Sequence, residues 1–230
     1  MKKFLMAAVV LLGSISLANA ERFSIGVTAT GALFTADDAS EIFSGDHAGN
    51  RTSDKVTKKT SDEGEDAEAL VGMASIFVEL NANDRISLGV NYVPSSLESE
   101  TAENVRLDKT TTDTRTSKTN SIKVAFEDLT EYYISLNLGE HFYVKGGVST
   151  VDVETKENLA TGSAYGNTDL DGTITAVGFN NELDNGLFIR MEAKYMDFDG
   201  TTLTSSNTDN KVQLKSLEGA SGSLSVGKTF

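Results

Sequence analysis

The sequence has no cysteine, no tryptophan and a single proline, Pro94, among its 230 residues. Without cysteine no disulfide can staple the fold. One proline leaves backbone N–H groups free nearly everywhere, which suits a chain dominated by hydrogen-bonded strands. Histidine is scarce too, at two residues. Nucleophilic and acid–base chemistry therefore lacks several of its usual groups. Positive charge is the next shortage: 20 Lys and Arg stand against 34 Asp and Glu, a formal charge of −14. Phosphate binding needs the opposite balance, so nucleic acid is excluded as a partner.

Long apolar runs are absent beyond the first twenty residues. Lys2 and Lys3 precede the apolar run Phe4–Gly13, and Ala18-Asn19-Ala20 supplies a small-x-small cleavage site. The pattern predicts a secretory signal peptide over 1–20 and a mature chain over 21–230. The run is shorter than the roughly 20 residues of a spanning helix, so cleavage is favoured over anchoring. Losing both lysines would take the charge from −14 to −16.

What is present is alternation. Apolar residues recur at every second position in eight segments, as in strands with one apolar and one polar surrounding. Phe23, Ile25, Val27, Ala29 and Leu33 share a face in the first; Leu70, Gly72, Ala74, Ile76, Val78 and Leu80 in the second. Ile86 to Tyr92, Tyr132 to Leu138 and Phe142 to Val148 follow, then a weak segment at Thr173–Asn180. In that one either Val177 and Phe179 or Ile174 and Ala176 could face outward, and the first pair is taken. Leu187 to Tyr195 and Leu224 to Phe230 complete the set.

The connections alternate as well. Ala82–Asp84, Gly139–His141 and Asn181–Asn185 are short, whereas about 36–67, 95–120, 154–171 and 199–211 are long and polar. A soluble sandwich gives no reason for that rule. A membrane barrel does, because its turns are short on the periplasmic side and its loops long outside. Hydrocarbon also demands closure, since an open edge leaves backbone groups unpaired. The expected fold is all-β, an eight-stranded antiparallel up-and-down transmembrane barrel. Aromatics fit two interface belts. Phe23, Phe142, Phe179 and Phe230 lie near the short turns; Tyr92, Tyr132 and Tyr195 lie toward the long loops.

With these features the chain resembles the small outer-membrane barrels typified by the OmpA membrane domain and OmpX, in the porin-like superfamily. The most specific piece is Leu224-Ser225-Val226-Gly227-Lys228-Thr229-Phe230, whose Phe230 looks like that family's assembly signal. Lys228 stands where the family often has an aromatic. The resemblance implies a monomer in the outer membrane, with lipid and lipopolysaccharide around it. It also implies the barrel-assembly machinery and periplasmic chaperones as partners during biogenesis.

On the inward face the sequence places Glu79, Glu131 and Glu192 with Lys145, Arg190 and Lys194, and Arg85 near the rim. Such charges could line an ion path, but an eight-stranded barrel is just wide enough for its own side chains. Mutual neutralisation in a packed polar core is the favoured reading. No catalytic residues, cofactor or metal site are assigned. His141 reads as a turn residue, and His47 beside Asp46 is the one candidate for an outward-facing hydrolytic site. Asp169-Leu170-Asp171-Gly172 and Asp197-Phe198-Asp199-Gly200 lack the remainder of a calcium loop and read as turns where strand meets loop. Asn50-Arg51-Thr52 matches a glycosylation sequon that carries no weight in a bacterium. The Thr-rich runs Lys109–Thr119 and Thr201–Thr208 read as solvated loops or extended hairpins. The leading expectation is a non-enzymatic surface barrel displaying long loops. A narrow channel for small solutes comes second, an outer-membrane enzyme of lipid- or peptide-cleaving type third, and a soluble β-protein last.

Overall fold

A computed structural model describes residues 22–37, 40–42, 67–98, 102–109, 115–158, 163–207 and 210–230. The leader expected at 1–20, His47 and the sequon at Asn50 lie outside the described residues. Among the described residues there are eleven strands and no helix long and apolar enough to cross a membrane. They are β1 (Arg22–Asp37), β2 (Ser40–Ile42), β3 (Ala67–Asn81), β4 (Ile86–Tyr92), β5 (Leu97–Glu98) and β6 (Ala102–Lys109). After them come β7 (Arg115–Leu138), β8 (Phe142–Asn158), β9 (Thr168–Glu182), β10 (Leu187–Thr204) and β11 (Lys211–Thr229).

Eight of these are the staves of a closed antiparallel barrel, in the order β1, β3, β4, β7, β8, β9, β10, β11 and back to β1. The register measures the closure. Partners followed once round from Ile25 pass through Val78, Val90, Tyr132, Val148, Thr173, Asp197 and Glu218. Glu218 then pairs with Thr35, so the path returns to β1 ten residues up (35 − 25). A shear of that size over eight strands tilts them by roughly 40° and gives a radius of about 8 Å. Each residue then climbs ~2.5 Å along the barrel axis.

The short turns close tightly because polar side chains satisfy their backbones. Asn83 Oδ1 accepts from the N–H groups of Arg85 and Ile86 at 2.8 and 2.9 Å. Gly139 and Gly186 take the left-handed φ values of 86° and 81° that a glycine adopts without strain. At the other end the staves outrun the expected boundaries. β7, β8 and β10 continue well into stretches anticipated as loops, and β6 folds back on β7 from Ala102↔Ile122 to Lys109↔Arg115. The Thr-rich stretch is therefore, in its described part, an extended hairpin arm.

A bulge interrupts β7 between Glu127 and Thr130, where Asp128 has a φ of 54°. Aspartate tolerates that conformation better than most residues. The Tyr92 hydroxyl donates to Asp128 Oδ1 at 2.5 Å and pins the bulge to β4. Two expected turns are corrected: Asp171-Gly172 lies inside β9 and Asp199-Gly200 inside β10. Leu170 and Phe198, the apolar residues beside those aspartates, are buried in the barrel, and that burial holds both segments extended.

Candidate functional site

The lumen is layered. In its lower half the six charges named from the sequence form three ion pairs across the barrel. Arg190 donates from both terminal nitrogens to Glu79, at 2.6 and 2.9 Å. Lys145 Nζ lies 2.5 Å from Glu192 Oε2, and Lys194 Nζ lies 2.5 Å from Glu131 Oε1. Tyr133 donates to Glu79 at 2.9 Å, Tyr143 to Glu192 at 2.6 Å and Asn91 to Glu131 at 3.0 Å. Each buried carboxylate thus holds a cation and a neutral donor, the condition under which buried charge is tolerated. Arg85, the remaining sequence candidate, is exposed in the β3–β4 turn.

Aromatic rings fill the space between the pairs. The Arg190 guanidinium carbon lies 5.1 to 5.4 Å from the rings of Phe77, Tyr143 and Phe188, and Lys145 Nζ lies 4.1 Å from that of Tyr133. These are cation–π distances. Each ring rests on a register-paired glycine of the neighbouring strand: Phe77 on Gly26, Tyr133 on Gly89, Tyr143 on Gly178 and Phe188 on Gly227. A Cβ at any of these glycines would enter the ring, so the pairing lets large side chains lie flat in a narrow lumen.

The expected polar core holds only to this height. Above it the lumen turns apolar, with Ala32, Leu129, Val151, Ile174, Met196 and Phe198 among its buried residues. The reason is length: the staves rise past the membrane, and their upper part is the wall of a water-immersed barrel that needs an oil core of its own. A cavity of about 30 Å³ remains there, lined by Phe34, Val71, Leu97, Phe126, Leu129 and Phe198, among others.

The outer surface is the inverse. Phe23, Ile25, Val27, Ile76, Ile134, Val148, Ile189 and Val226 are all exposed on the barrel wall. In β9 Val177 is 59% exposed and Ile174 1%, so the weak segment faces as taken. Phe23, Phe142 and Phe230 are exposed and Phe179 half-buried at the short-turn end; Tyr92, Tyr132 and Tyr195 mark the upper limit. From Leu187 to Tyr195 this apolar wall spans about 20 Å, close to the height of a lipid-facing band. Higher up, Asp152, Asp171 and Asp197 replace it. Water would not tolerate so much apolar surface on a closed wall; hydrocarbon requires it. The barrel is a transmembrane one.

Known structures share this architecture. Ail, the attachment invasion locus protein of Yersinia pestis, has 10% identity over 91% of this chain and 98% of its own, with a TM-score of 0.44. OprG from Pseudomonas aeruginosa has 14% identity over 92% and 97%, with a TM-score of 0.45. The outer membrane protease OmpT from Escherichia coli has 10% over 92% and 97%, with a TM-score of 0.38. Likeness at this level says nothing about activity. No protein-family model matches the sequence, and no curated protein does.

Three members of the lumen network, Phe77, Tyr133 and Phe188, were not singled out by the sequence. Their signal was the inward-facing glycines, which only strand register joins to particular rings. His141 stands in the β7–β8 turn, its Nδ1 3.3 Å from the Asn180 carbonyl and its ring 5.4 Å from that of Phe179.

Proposed function

We propose that the protein is a non-enzymatic outer-membrane barrel that braces the envelope and displays its outer hairpin and loops. The observation that carries this reading is the three-pair ionic layer: packed with aromatic rings, it leaves only about 20 Å³ at its own level. That is space for a water and not for a hydrated solute. A channel would need those pairs to part, and breaking a buried pair costs about 3–5 kcal/mol. Arms and loops above the belt are free to meet lipopolysaccharide, a phage or a host surface. Outer-membrane residence, the cleaved leader and assembly through Phe230 belong to the same reading.

Two measurements test it. Outer-membrane fractions run boiled and unboiled on a gel should show a band that shifts on heating. The purified barrel in planar bilayers should be electrically silent. Discrete conductance steps whose ion selectivity changes in Lys145 or Arg190 variants would establish the channel instead.

A further inference from the structure

We propose that Lys194 and Asn91 join in a self-formed isopeptide bond across the lumen, with Glu131 carrying the protons. The three side chains meet at one carboxylate. Lys194 Nζ lies 2.5 Å from Glu131 Oε1, and Asn91 Nδ2 donates to Glu131 Oε2 at 3.0 Å. Asn91 on β4 and Glu131 on β7 are register partners, and Lys194 reaches them from β10. All three are buried: Asn91 is 9% exposed, Glu131 1% and the Lys194 side chain 8%. An amine, a carboxamide and a proton-accepting carboxylate are thus held together away from water, as amide exchange requires.

The neighbouring ion pairs lack one of these parts. Glu79 holds Arg190 and the Tyr133 hydroxyl, and Glu192 holds Lys145 and the Tyr143 hydroxyl. A tyrosine offers no acyl carbon for a nitrogen to attack. Of the three carboxylates, only Glu131 has a nucleophile on one oxygen and an electrophile on the other.

The exchange balances without an outside reactant. One proton passes from the Lys194 ammonium to Glu131 Oε1, which frees the Nζ lone pair to attack Cγ of Asn91. A second proton moves from Nζ to Nδ2 by way of the same carboxyl group. The Cγ–Nδ2 bond then breaks and ammonia leaves. Nζ keeps its last hydrogen as an amide N–H, and Glu131 ends as a neutral acid. Two buried charges become neutral hydrogen-bonding groups, which removes the desolvation penalty of the pair. The void of about 20 Å³ at this level is lined by Asn91, Glu131 and Lys194, among others, and takes a molecule the size of water, as ammonia is. The new bond ties β4 to β10, which stand on opposite walls, in a chain with no cysteine to staple it otherwise.

The test compares intact masses before and after folding. Protein from inclusion bodies is dissolved in urea, then folded into phosphatidylcholine vesicles. The chain in urea should have its full mass, and the folded barrel should be lighter by one ammonia. Trypsin should then spare Lys194 and release a branched peptide that joins the segments carrying Lys194 and Asn91. Asn91→Ala keeps the Lys194–Glu131 pair but removes the acyl carbon, so its folded form should retain full mass. Lys194→Arg, which keeps the charge and loses the amine, should do the same if Asn91→Ala fails to fold. A folded parent barrel of full mass would overturn the proposal. So would an ammonia loss that maps to Asn185, which precedes Gly186 and can cyclise onto its own backbone.

Discussion

The rings of Phe23 and Phe230 stack at 4.9 Å with an interplanar angle of 12°, joining the first stave to the chain's last residue. Their backbones exchange hydrogen bonds of 2.8 and 3.3 Å. Barrel closure between β1 and β11 is thus fastened at the short-turn rim by an aromatic clasp. Phe230→Ala keeps the backbone bonds and removes the stack, a contact worth about 0.5–1.5 kcal/mol beyond its area. The expected result is a lower urea midpoint for the folded, unheated form and slower appearance in the outer membrane. Phe230→Tyr should preserve both.

Glu79→Ala strands a buried guanidinium. A loss of about 3–5 kcal/mol in unfolding free energy is expected, read from equilibrium unfolding in urea. The double variant Glu79→Leu with Arg190→Met removes both charges and should recover most of that loss. A single variant as stable as the parent would show that water reaches Arg190.

Gly89→Ala tests the ring-over-glycine packing. Its new Cβ would fall on the Tyr133 ring, whose hydroxyl is bonded to Glu79. Overpacking of this kind costs about 1–3 kcal/mol. Gly146→Ala, one position from the inward face with nothing within 4 Å of its Cβ, should leave the urea midpoint nearly unchanged.

Leu224→Arg puts a charge on the lipid face of β11 near the middle of the belt. A cost of about 2–4 kcal/mol is expected at that depth, against ~0–1 near an interface. Lys228, exposed on the same face at the short-turn end and 5.0 Å from the Phe230 ring, already occupies the inexpensive position. Lys228→Leu should therefore gain little.

Asp152, outward of the belt on β8, has its carboxyl pushed up by burial and then by the nearby Asp128 and Asp169. A raised folded-state value means the folded protein binds the proton more tightly than the unfolded chain. Stability is then highest below the ordinary aspartate value and falls as pH rises through the raised one. Asp152→Asn should stabilise the barrel at neutral pH and lose its advantage in acid, as followed by unfolding midpoints across pH.

The eight staves were legible because one physical rule, alternation between lipid and lumen, writes itself into every second residue. The six lumen charges were legible for the same reason: an inward parity puts Glu79, Glu131 and Glu192 where Lys145, Arg190 and Lys194 can reach them. Which acid meets which base was not, since that depends on a ten-residue shear summed round the whole wall. The oil core was missed for a different reason. Val71, Met196 and Phe198 are apolar at inward positions, and alternation between an apolar and a polar face fades where both the lumen and the rim are mixed. The bulge at Asp128 then shifts the phase of β7, so no fixed parity runs from Leu138 up to Arg115.

About ten residues take a strand across a membrane, and β7 has 24. The distance from Tyr132 to Arg115 corresponds to about 40 Å of climb. The upper stave and the β6–β7 arm together therefore rise farther above the tyrosines than the ~30 Å thickness of a hydrocarbon core. Because the same strand lines the apolar upper lumen at Phe126 and Leu129, any load on the arm is carried straight into that packing.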